Sequence, residues 1–280
     1  MTTAVATVPA TTRLTFPGVL RSEWIKLRTL RSTWWCAGVI VGLSVLFGVL
    51  VSLAVPGGTR LPTGQQNALA VQVLTLSVNF TQLVAAVLGV LVISGEYGTG
   101  MIRSTFAAVP RRIPAVVAKL LVLSVAVLIV GLVSSALTAL ASAPLLGAHG
   151  IGLAPDAALW LPVLGSSAYL VLIAALAFAI GALIRNTAGG IATALGLLLV
   201  APIVVNVAAA LTRAAWLQSV AAVLPSNAGA QLSAYATPSG PDLGASDVLV
   251  LNGWGGLGVM LAWIAVFLVP ALILVRRRDT

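Results

Sequence analysis

The sequence contains very little charge for its length. Charged residues make up 8% of the 280 residues, whereas soluble domains carry about 25%. Hydrophobic residues make up 60%, and the mean hydropathy is +1.11. Such a composition excludes an ordinary water-soluble domain, because too few polar side chains are present to cover its surface. The chain is therefore predicted to be an integral membrane protein.

The residues that usually carry chemistry are also scarce. The two lysines, Lys26 and Lys119, do not follow a glycine-rich turn, so the sequence has no phosphate-binding loop of the P-loop type. The single histidine, His149, lies between predicted spans, which argues against a metal or histidine-based catalytic site. Cys36 is the only cysteine and cannot form an internal disulfide. We expect no enzyme activity and no directly bound cofactor.

Six apolar runs are long enough to cross a bilayer, which takes about 20 helical residues. Each run is continuous rather than alternating, and backbone groups in lipid must be satisfied within their own segment. The predicted fold class is therefore an all-α integral membrane protein with six transmembrane helices. The predicted spans are residues 34–55, 70–94, 120–143, 159–184, 188–210 and 254–275.

None of the predicted spans contains a charged residue. Glu23 precedes the first span, and Glu96 lies just beyond the end of the second. Transport driven by an ion or proton gradient usually requires an ionisable residue inside the membrane. The absence of one disfavours a secondary transporter, so the energy for any uphill transport must come from outside the membrane.

The positive charges are distributed unevenly between the two ends of the spans. All of the 15 Lys and Arg residues except Arg60 and Arg213 fall at one end. The positive-inside rule places that end, and both termini, in the cytoplasm. This distribution explains the net charge of +9 without a nucleic-acid partner. We expect a multi-pass protein of the cytoplasmic (inner) membrane of a prokaryote, in contact with the lipid bilayer.

The segments outside the spans differ in character. Residues 1–17 are predicted to form a disordered cytoplasmic tail, and residues 18–280 a single six-span domain. Residues 95–119 form a predicted cytoplasmic loop, and residues 211–253 a long external loop. Within the external loop, residues 214–224 are apolar but too short to cross the membrane. They favour an interfacial or re-entrant helix that ends at Pro225, with an ordinary surface loop as the alternative.

The cytoplasmic loop contains a short amphipathic pattern. Ile102, Phe106 and Val109 recur at helical spacing, with Thr99 as N-cap and Pro110 as the end of the helix. The apolar face has no lipid to enter. It is predicted either to bind a partner protein or to fold back against its own helix bundle.

Polar side chains form a stripe along the second span. Gln72, Thr75, Asn79 and Gln82 share one helical face, and the fifth span carries Asn206. These side chains either line a substrate pathway or form hydrogen bonds with neighbouring helices. Both interpretations remain open from the residues alone.

Two segments of the chain resemble a known family. Residues 95–97, 100–103 and 109–112 (Gly-Glu-Tyr, Gly-Met-Ile-Arg and Val-Pro-Arg-Arg) are similar to the signature loop of the membrane-spanning subunits of type-2 ABC transporters. Residues 22–32 resemble the interface helix of that family. Six spans, cytoplasmic termini and a long external segment before the last span extend the resemblance over nearly the whole chain.

The resemblance implies a permease subunit of an ABC-2 type exporter. Such a subunit pairs with a second permease subunit, as a homodimer or heterodimer, and with a separate cytoplasmic ATPase subunit that holds ATP and Mg. The residues implied in partner coupling are Glu96, Gly100, Ile102, Arg103, Phe106 and Val109. The residues implied in the interfacial helix, 18–32, are Glu23, Trp24, Lys26 and Arg28.

The implied function is efflux, with the candidate pathway formed by Gln72, Thr75, Asn79, Gln82 and Asn206. The uncharged interior favours an amphipathic drug, a lipid-linked compound or a hydrophobic peptide as the substrate. The alternative is a non-transporting membrane scaffold or immunity protein that holds a cytoplasmic signalling partner. A secondary transporter ranks third.

Overall fold

The computed structural model describes residues 15–55, 62–109, 112–152, 157–234 and 249–277. All regular structure in these ranges is helical. In chain order the α-helices are α1 Phe16–Thr29, α2 Arg31–Ala54, α3 Thr63–Thr75, α4 Val78–Thr99, α5 Met101–Ala108, α6 Arg112–Ala148, α7 Ala157–Ile184, α8 Thr187–Leu195, α9 Ala201–Thr212, α10 Ala215–Ala222, α11 Pro225–Ala230 and α12 Gly253–Arg277.

The six predicted spans are confirmed as six long apolar helical segments. Each predicted run coincides with one of them apart from its ends. The segments are Arg31–Ala54, Gly64–Thr99, Arg112–Ala148, Leu159–Ile184, Thr187–Thr212 and Gly253–Arg276. The chain is therefore a multi-pass membrane protein.

The fourth span lies at the centre of the bundle. In its most apolar stretch 72% of the residues are buried, against 22% for each of the first, fifth and sixth spans. Its large side chains Tyr169, Ile173 and Phe178 are fully enclosed. The second span packs closely against it, because a Cβ on Gly89 would lie 2.3 Å from the carbonyl oxygen of Ala174. Small residues allow this close approach of helix backbones in a membrane.

The N-terminal helix differs in its bounds from the predicted interfacial helix. Residues 1–14 of the predicted tail lie outside the described residues, and Phe16 and Pro17 already belong to α1. Proline is tolerated there because the first turn of a helix leaves its N–H groups unpaired. The helix ends at Thr29, since Leu30 is extended, and Arg31 starts α2.

The predicted cytoplasmic loop is mostly helical. Residues 95–99 complete α4, and α6 begins at Arg112. Gly100 ends α4 with a φ of 74°, a left-handed conformation that glycine adopts at little cost. Gly100 also occupies the N-cap position of α5, so the prediction of Thr99 as N-cap is wrong. The Thr99 hydroxyl donates instead to the carbonyl oxygen of Gly95, 3.0 Å away, within α4.

The fifth span is interrupted in its middle. Residues Gly196–Val200 form a π-helical turn between α8 and α9. Pro202 lies two residues after this turn, in the first turn of α9, and its missing N–H breaks the regular hydrogen-bond ladder at this point. At the start of the span, the Asn186 side chain caps α8 by accepting a hydrogen bond of 2.9 Å from the Gly189 N–H.

The segment between the fifth and sixth spans is partly described. The helix predicted over residues 214–224 is confirmed as α10, Ala215–Ala222. Pro225, which was predicted to end this helix, is the first residue of α11. Its missing N–H costs nothing there, because the first N–H groups of a helix have no partner within the helix. A single 3₁₀ turn, Gln231–Ser233, follows. Residues 235–248 of the predicted external loop lie outside the described residues.

Candidate functional site

Four charged residues from distant parts of the chain meet at one end of the bundle. Glu23 and Lys26 come from α1, Glu96 from the end of α4, and Lys119 from the first part of α6. The Lys26 Nζ lies 2.8 Å from Glu23 Oε1 and 3.2 Å from Glu96 Oε1. The Lys119 Nζ lies 2.7 Å from Glu96 Oε1 and also pairs with Glu23 Oε2. We call these residues the charged cluster.

The charged cluster is almost entirely withdrawn from solvent. Glu23, Glu96 and Lys119 are buried, whereas the side chain of Lys26 is 29% exposed. Burying an ion costs several kcal/mol, by rough estimate, unless it is paired and hydrogen-bonded. Two carboxylates and two ammonium groups balance here, so the cluster has no net charge. The pairs therefore hold α1, α4 and α6 in one defined arrangement.

Lys26 has a shifted pKa that reports this pairing. Burial by itself lowers the pKa of the ammonium, but the hydrogen bonds and ion pairs with Glu23 and Glu96 outweigh it, so the pKa of Lys26 is raised above its ordinary value. The pairing therefore favours the charged form of Lys26.

The short helix α5 is attached to the same cluster. The Lys26 ammonium also donates to the Thr105 hydroxyl, at 3.1 Å. Thr105 lies in α5, the helix that the sequence predicted between the second and third spans. A single ammonium group thus links α1 to α4 and to α5.

The apolar face of α5 is turned inward. Ile102, Phe106 and Val109 are buried in the main hydrophobic core of the chain itself. Of the two interpretations of this face, the packing supports the fold-back against the bundle rather than a free surface for a partner. Burial of Phe106 alone contributes about 1.5–3 kcal/mol. The guanidinium of Arg112 lies 5.7 Å from the centre of its ring and covers it.

The opposite face of α5 is not covered by any of the described residues. Met101, Arg103, Ser104 and Ala107 are exposed, and so is Gly100 before the helix. On α1, Arg28 is exposed and Trp24 is half-buried against the core. Glu23, by contrast, lies with Val19 and Leu27 on the buried side of α1. The partner-coupling and interfacial residues inferred from the sequence thus separate into buried and exposed groups.

Lys119 was not predicted as a site residue. Two features of the sequence could have identified it: it is one of only two lysines, and it lies at the start of a long apolar run. Sequence spacing gave no indication that Lys119 would meet Glu23, which is 96 residues away.

The polar stripe of the second span separates into two environments. Gln82 is buried; its Oε1 accepts a hydrogen bond from the Tyr169 hydroxyl, and its Nε2 donates to the Asn79 carbonyl oxygen at 3.0 Å. Gln82 therefore connects the second span to the fourth. Thr75 is half-buried and donates to the Val71 carbonyl oxygen at 2.8 Å. The side chains of Gln72 and Asn79 are exposed.

Asn206 lies near a second group of amide side chains. It is exposed on α9, and its Oδ1 accepts from Asn227 Nδ2 of α11 at 3.4 Å. An open groove of about 550 Å³ is lined by Asn206, Gln218, Asn227 and Gln231, among others. Gln218, Asn227 and Gln231 were not predicted, because the sequence alone did not indicate that residues 215–233 would fold beside α9.

Helix α11 and the 3₁₀ turn pack into the bundle, whereas α10 buries only Ala221. A Cβ on Gly229 would lie 2.0 Å from the Tyr169 ring, and one on Gly165 would lie 1.9 Å from the Leu232 carbonyl oxygen. The Trp263 indole N–H donates to the carbonyl oxygen of Val223 at 2.9 Å.

The described residues contain no group of three His, Cys, Asp or Glu side chains that could hold a metal ion. What the charged end shows is a set of ion pairs that connect α1, α4 and α6.

The comparisons with known proteins concern the same part of the chain. Residues 19–205 match a family described as ABC-2 family transporter protein. No curated protein matches the chain. The matched range includes the charged cluster, α5 and most of the first five spans. The chain therefore belongs to the ABC-2 family of transporters, as a membrane permease.

Proposed function

We propose that the chain is the permease subunit of an ATP-driven exporter, which works as a dimer and is driven by a separate ATPase subunit. The charged cluster carries this proposal. It joins the interface helix α1 to the ends of the second and third spans through ion pairs, and it joins the short helix α5 to α1 through the hydrogen bond from Lys26 to Thr105. A force applied to α5 or α1 is thereby passed on to helices that cross the membrane.

The contact with the ATPase would be made by the exposed side chains of α1 and α5 beside the charged cluster. Gly100, Met101 and Arg103 are exposed at the start of α5, and Arg28 is exposed on α1. Two guanidinium groups suit a partner surface that carries carboxylates, since arginine pairs with them through two parallel hydrogen bonds. ATP and Mg would bind to the partner, and the permease would contribute no catalytic group.

The end of the bundle that holds the cluster would face the cytoplasm. Other basic residues gather at this end: Arg112 donates to the Val275 carbonyl oxygen at 3.3 Å, and the Arg185 guanidinium lies 5.3 Å from the centre of the Tyr97 ring. These contacts bring the ends of the second, third, fourth and sixth spans together. The positive-inside rule supports the cytoplasmic orientation of such an end.

The substrate pathway would lie between two permease subunits. Gln72, Asn79 and Asn206 are exposed at the surface of one subunit. Asn79 donates to the Leu76 carbonyl oxygen and Asn206 accepts from Asn227, but a carboxamide has two N–H donors and an oxygen acceptor to satisfy. Each polar group left unpaired in hydrocarbon costs several kcal/mol by rough estimate, so these side chains are poor neighbours for lipid tails. A second subunit that covers these side chains would remove them from lipid and form an uncharged, hydrogen-bonding route. Such a route supports an amphipathic substrate.

The test of coupling is the variant Arg103→Glu. Reversal of an exposed charge on α5 is expected to lower co-purification of the ATPase subunit by about tenfold or more, because like charges across an interface cost several kcal/mol. The matched control is Arg276→Glu, which reverses an exposed charge at the same end of the bundle but on α12. Phe106→Asp would not serve, since Phe106 is buried and its loss would unfold α5.

The outcome is decided by comparison of the two variants. Both should run as folded, monodisperse proteins in size-exclusion chromatography. Equal recovery of the ATPase with Arg103→Glu and Arg276→Glu would remove α5 from the coupling surface.

A further inference from the structure

A cavity of about 570 Å³ lies beside the charged cluster. This volume is within the range of about 300–1,000 Å³ found for small-molecule sites. Part of its wall is apolar, and part consists of the charged cluster. The apolar lining residues are Leu27, Leu30, Leu91, Val92, Met101 and Val122.

The hydrogen bonds of the cluster leave one strong acceptor without a partner. Lys26 donates to Glu23, Glu96 and Thr105, and Lys119 donates to both carboxylates. All the bonds to Glu96 end on its Oε1. Its Oε2 is buried and has no hydrogen-bond partner within the described residues. Glu96 is 5% exposed and lines the cavity.

A buried carboxylate oxygen without a donor is costly, because it has lost its water and gained nothing in exchange. The missing group is a hydrogen-bond donor. Lys26 and Lys119 also line the cavity, but their ammonium groups already donate to Glu23, to Glu96 Oε1 and to Thr105. The oxygen that is left without a donor would repel an anionic head group, whereas an ammonium group would form a charge-assisted hydrogen bond with it. The apolar part of the wall suits a hydrocarbon chain attached to that head group.

We infer that this cavity binds an amphiphile with a primary ammonium head and an apolar chain, the ammonium donating to Glu96 Oε2. The ligand could be a free amphiphilic amine or a membrane lipid with an amine head group, since both present the same chemistry. The site belongs to a single subunit and lies apart from the proposed pathway. Its test uses the permease alone, so its failure and the failure of the proposed export function are distinguishable.

Two glycines of α4 provide a matched pair of variants. A Cβ at Gly95 or at Gly98 meets nothing within 4 Å. Gly95 lines the cavity, and Gly98 does not. Gly95→Leu should therefore fill the cavity without a clash against the bundle, whereas Gly98→Leu should extend into open space. Both replacements favour the helix, because leucine has a higher helix propensity than glycine.

Binding is measured on the detergent-purified full chain by native mass spectrometry, with n-decylamine, n-decanoate and phosphatidylethanolamine titrated separately. We expect saturable binding of a single decylamine per subunit and no saturable binding of decanoate. Gly95→Leu should weaken decylamine binding by about tenfold or more, and Gly98→Leu by less than about twofold. Tighter binding of phosphatidylethanolamine than of decylamine would identify a lipid as the ligand, and the reverse order a free amine.

Either of two results would overturn the inference: decylamine bound equally by Gly95→Leu and the unmodified chain, or decanoate bound as well as decylamine. Size-exclusion chromatography and circular dichroism verify the fold of each variant. If Gly95→Leu does not fold, the smaller Gly95→Ala and the comparison of amine with carboxylate on the unmodified chain still decide the matter.

Discussion

The two ends of the bundle fix their helices by different chemistry. At the end with α1 and α5, four full charges pair across α1, α4 and α6. Toward the other end, the neutral groups of Gln82 and Tyr169 join α4 to α7, and glycines allow α11 and the 3₁₀ turn to approach α7. Charges are tolerated near the membrane boundary, where Lys26 retains 29% exposure, but deeper in the bilayer they are expensive. The depth at which helices meet in the membrane therefore determines whether charged or neutral side chains can connect them.

The largest effect is expected from removal of a buried charge at the first of these ends. Lys119→Met leaves Glu23 and Glu96 with one ammonium group between them, and breaking a buried pair in this way costs about 3–5 kcal/mol. Lys26→Met is the matched control, because its side chain is 29% exposed and water can replace part of the lost interaction. Thermal stability of the purified protein in detergent measures both. Equal thermal stability of the two variants would show that burial does not determine how much each lysine stabilises the charged cluster.

A smaller effect is expected where backbones meet at the other end. Gly165→Ala would place a Cβ 1.9 Å from the carbonyl oxygen of Leu232, so the 3₁₀ turn must move away from α7. Such overpacking costs about 1–3 kcal/mol. Gly258→Ala is the control, since a Cβ at Gly258 on α12 meets nothing within 4 Å. The same thermal assay should show a loss for the first variant only; equal stability of Gly165→Ala and the unmodified chain would mean that α7 is not tightly packed at Gly165.

The smallest effect is expected for the neutral hydrogen bond. Tyr169→Phe removes the donor to Gln82, and hydrogen bonds between membrane helices are worth on average about 0.6 kcal/mol and at most about 1.7. Tyr97→Phe is the control, because the buried Tyr97 hydroxyl has no hydrogen-bond partner among the described residues. Thermal stability should fall slightly for Tyr169→Phe and remain unchanged or rise for Tyr97→Phe. The opposite order would show that the Tyr169–Gln82 hydrogen bond does not stabilise the bundle, and a loss as large as that of Lys119→Met would show that the charged and neutral contacts do not differ in strength.

The helix content and the spans could be predicted from the residues, because length and hydropathy are enough to identify a membrane crossing. The helix at residues 215–222 was also predictable from its short apolar run. The helix ends were harder to predict from the residues. Residues 95–99 and 112–119 continue helices beyond the apolar runs, because backbone hydrogen bonding does not stop where hydropathy falls. Gly100, whose left-handed backbone ends α4, lies within the segment that the sequence highlighted.

The candidate site was predictable only in part. Glu96, Lys26 and the α5 residues were identified from their motifs, but the inward orientation of Phe106 was one of two alternatives. Lys119 was missed because its significance comes from Glu23 and Glu96, which α1 and α4 bring to it. Gln82 differs from Gln72 for the same reason: both share one stripe, but only Gln82 faces Tyr169.

The sequence by itself determined the number of crossings, the end at which basic residues collect and the presence of a short amphipathic helix after the second span. These features depend on residues that are close together in the sequence, so they can be predicted without knowing which distant residues come into contact. Only the tertiary structure decided that the fourth span is central, that α5 turns its apolar face inward, and that Glu23 and Lys119 form a buried pair. Each of these depends on side chains far apart in the chain, whose desolvation is favourable only when the folded bundle brings their partners within hydrogen-bonding distance.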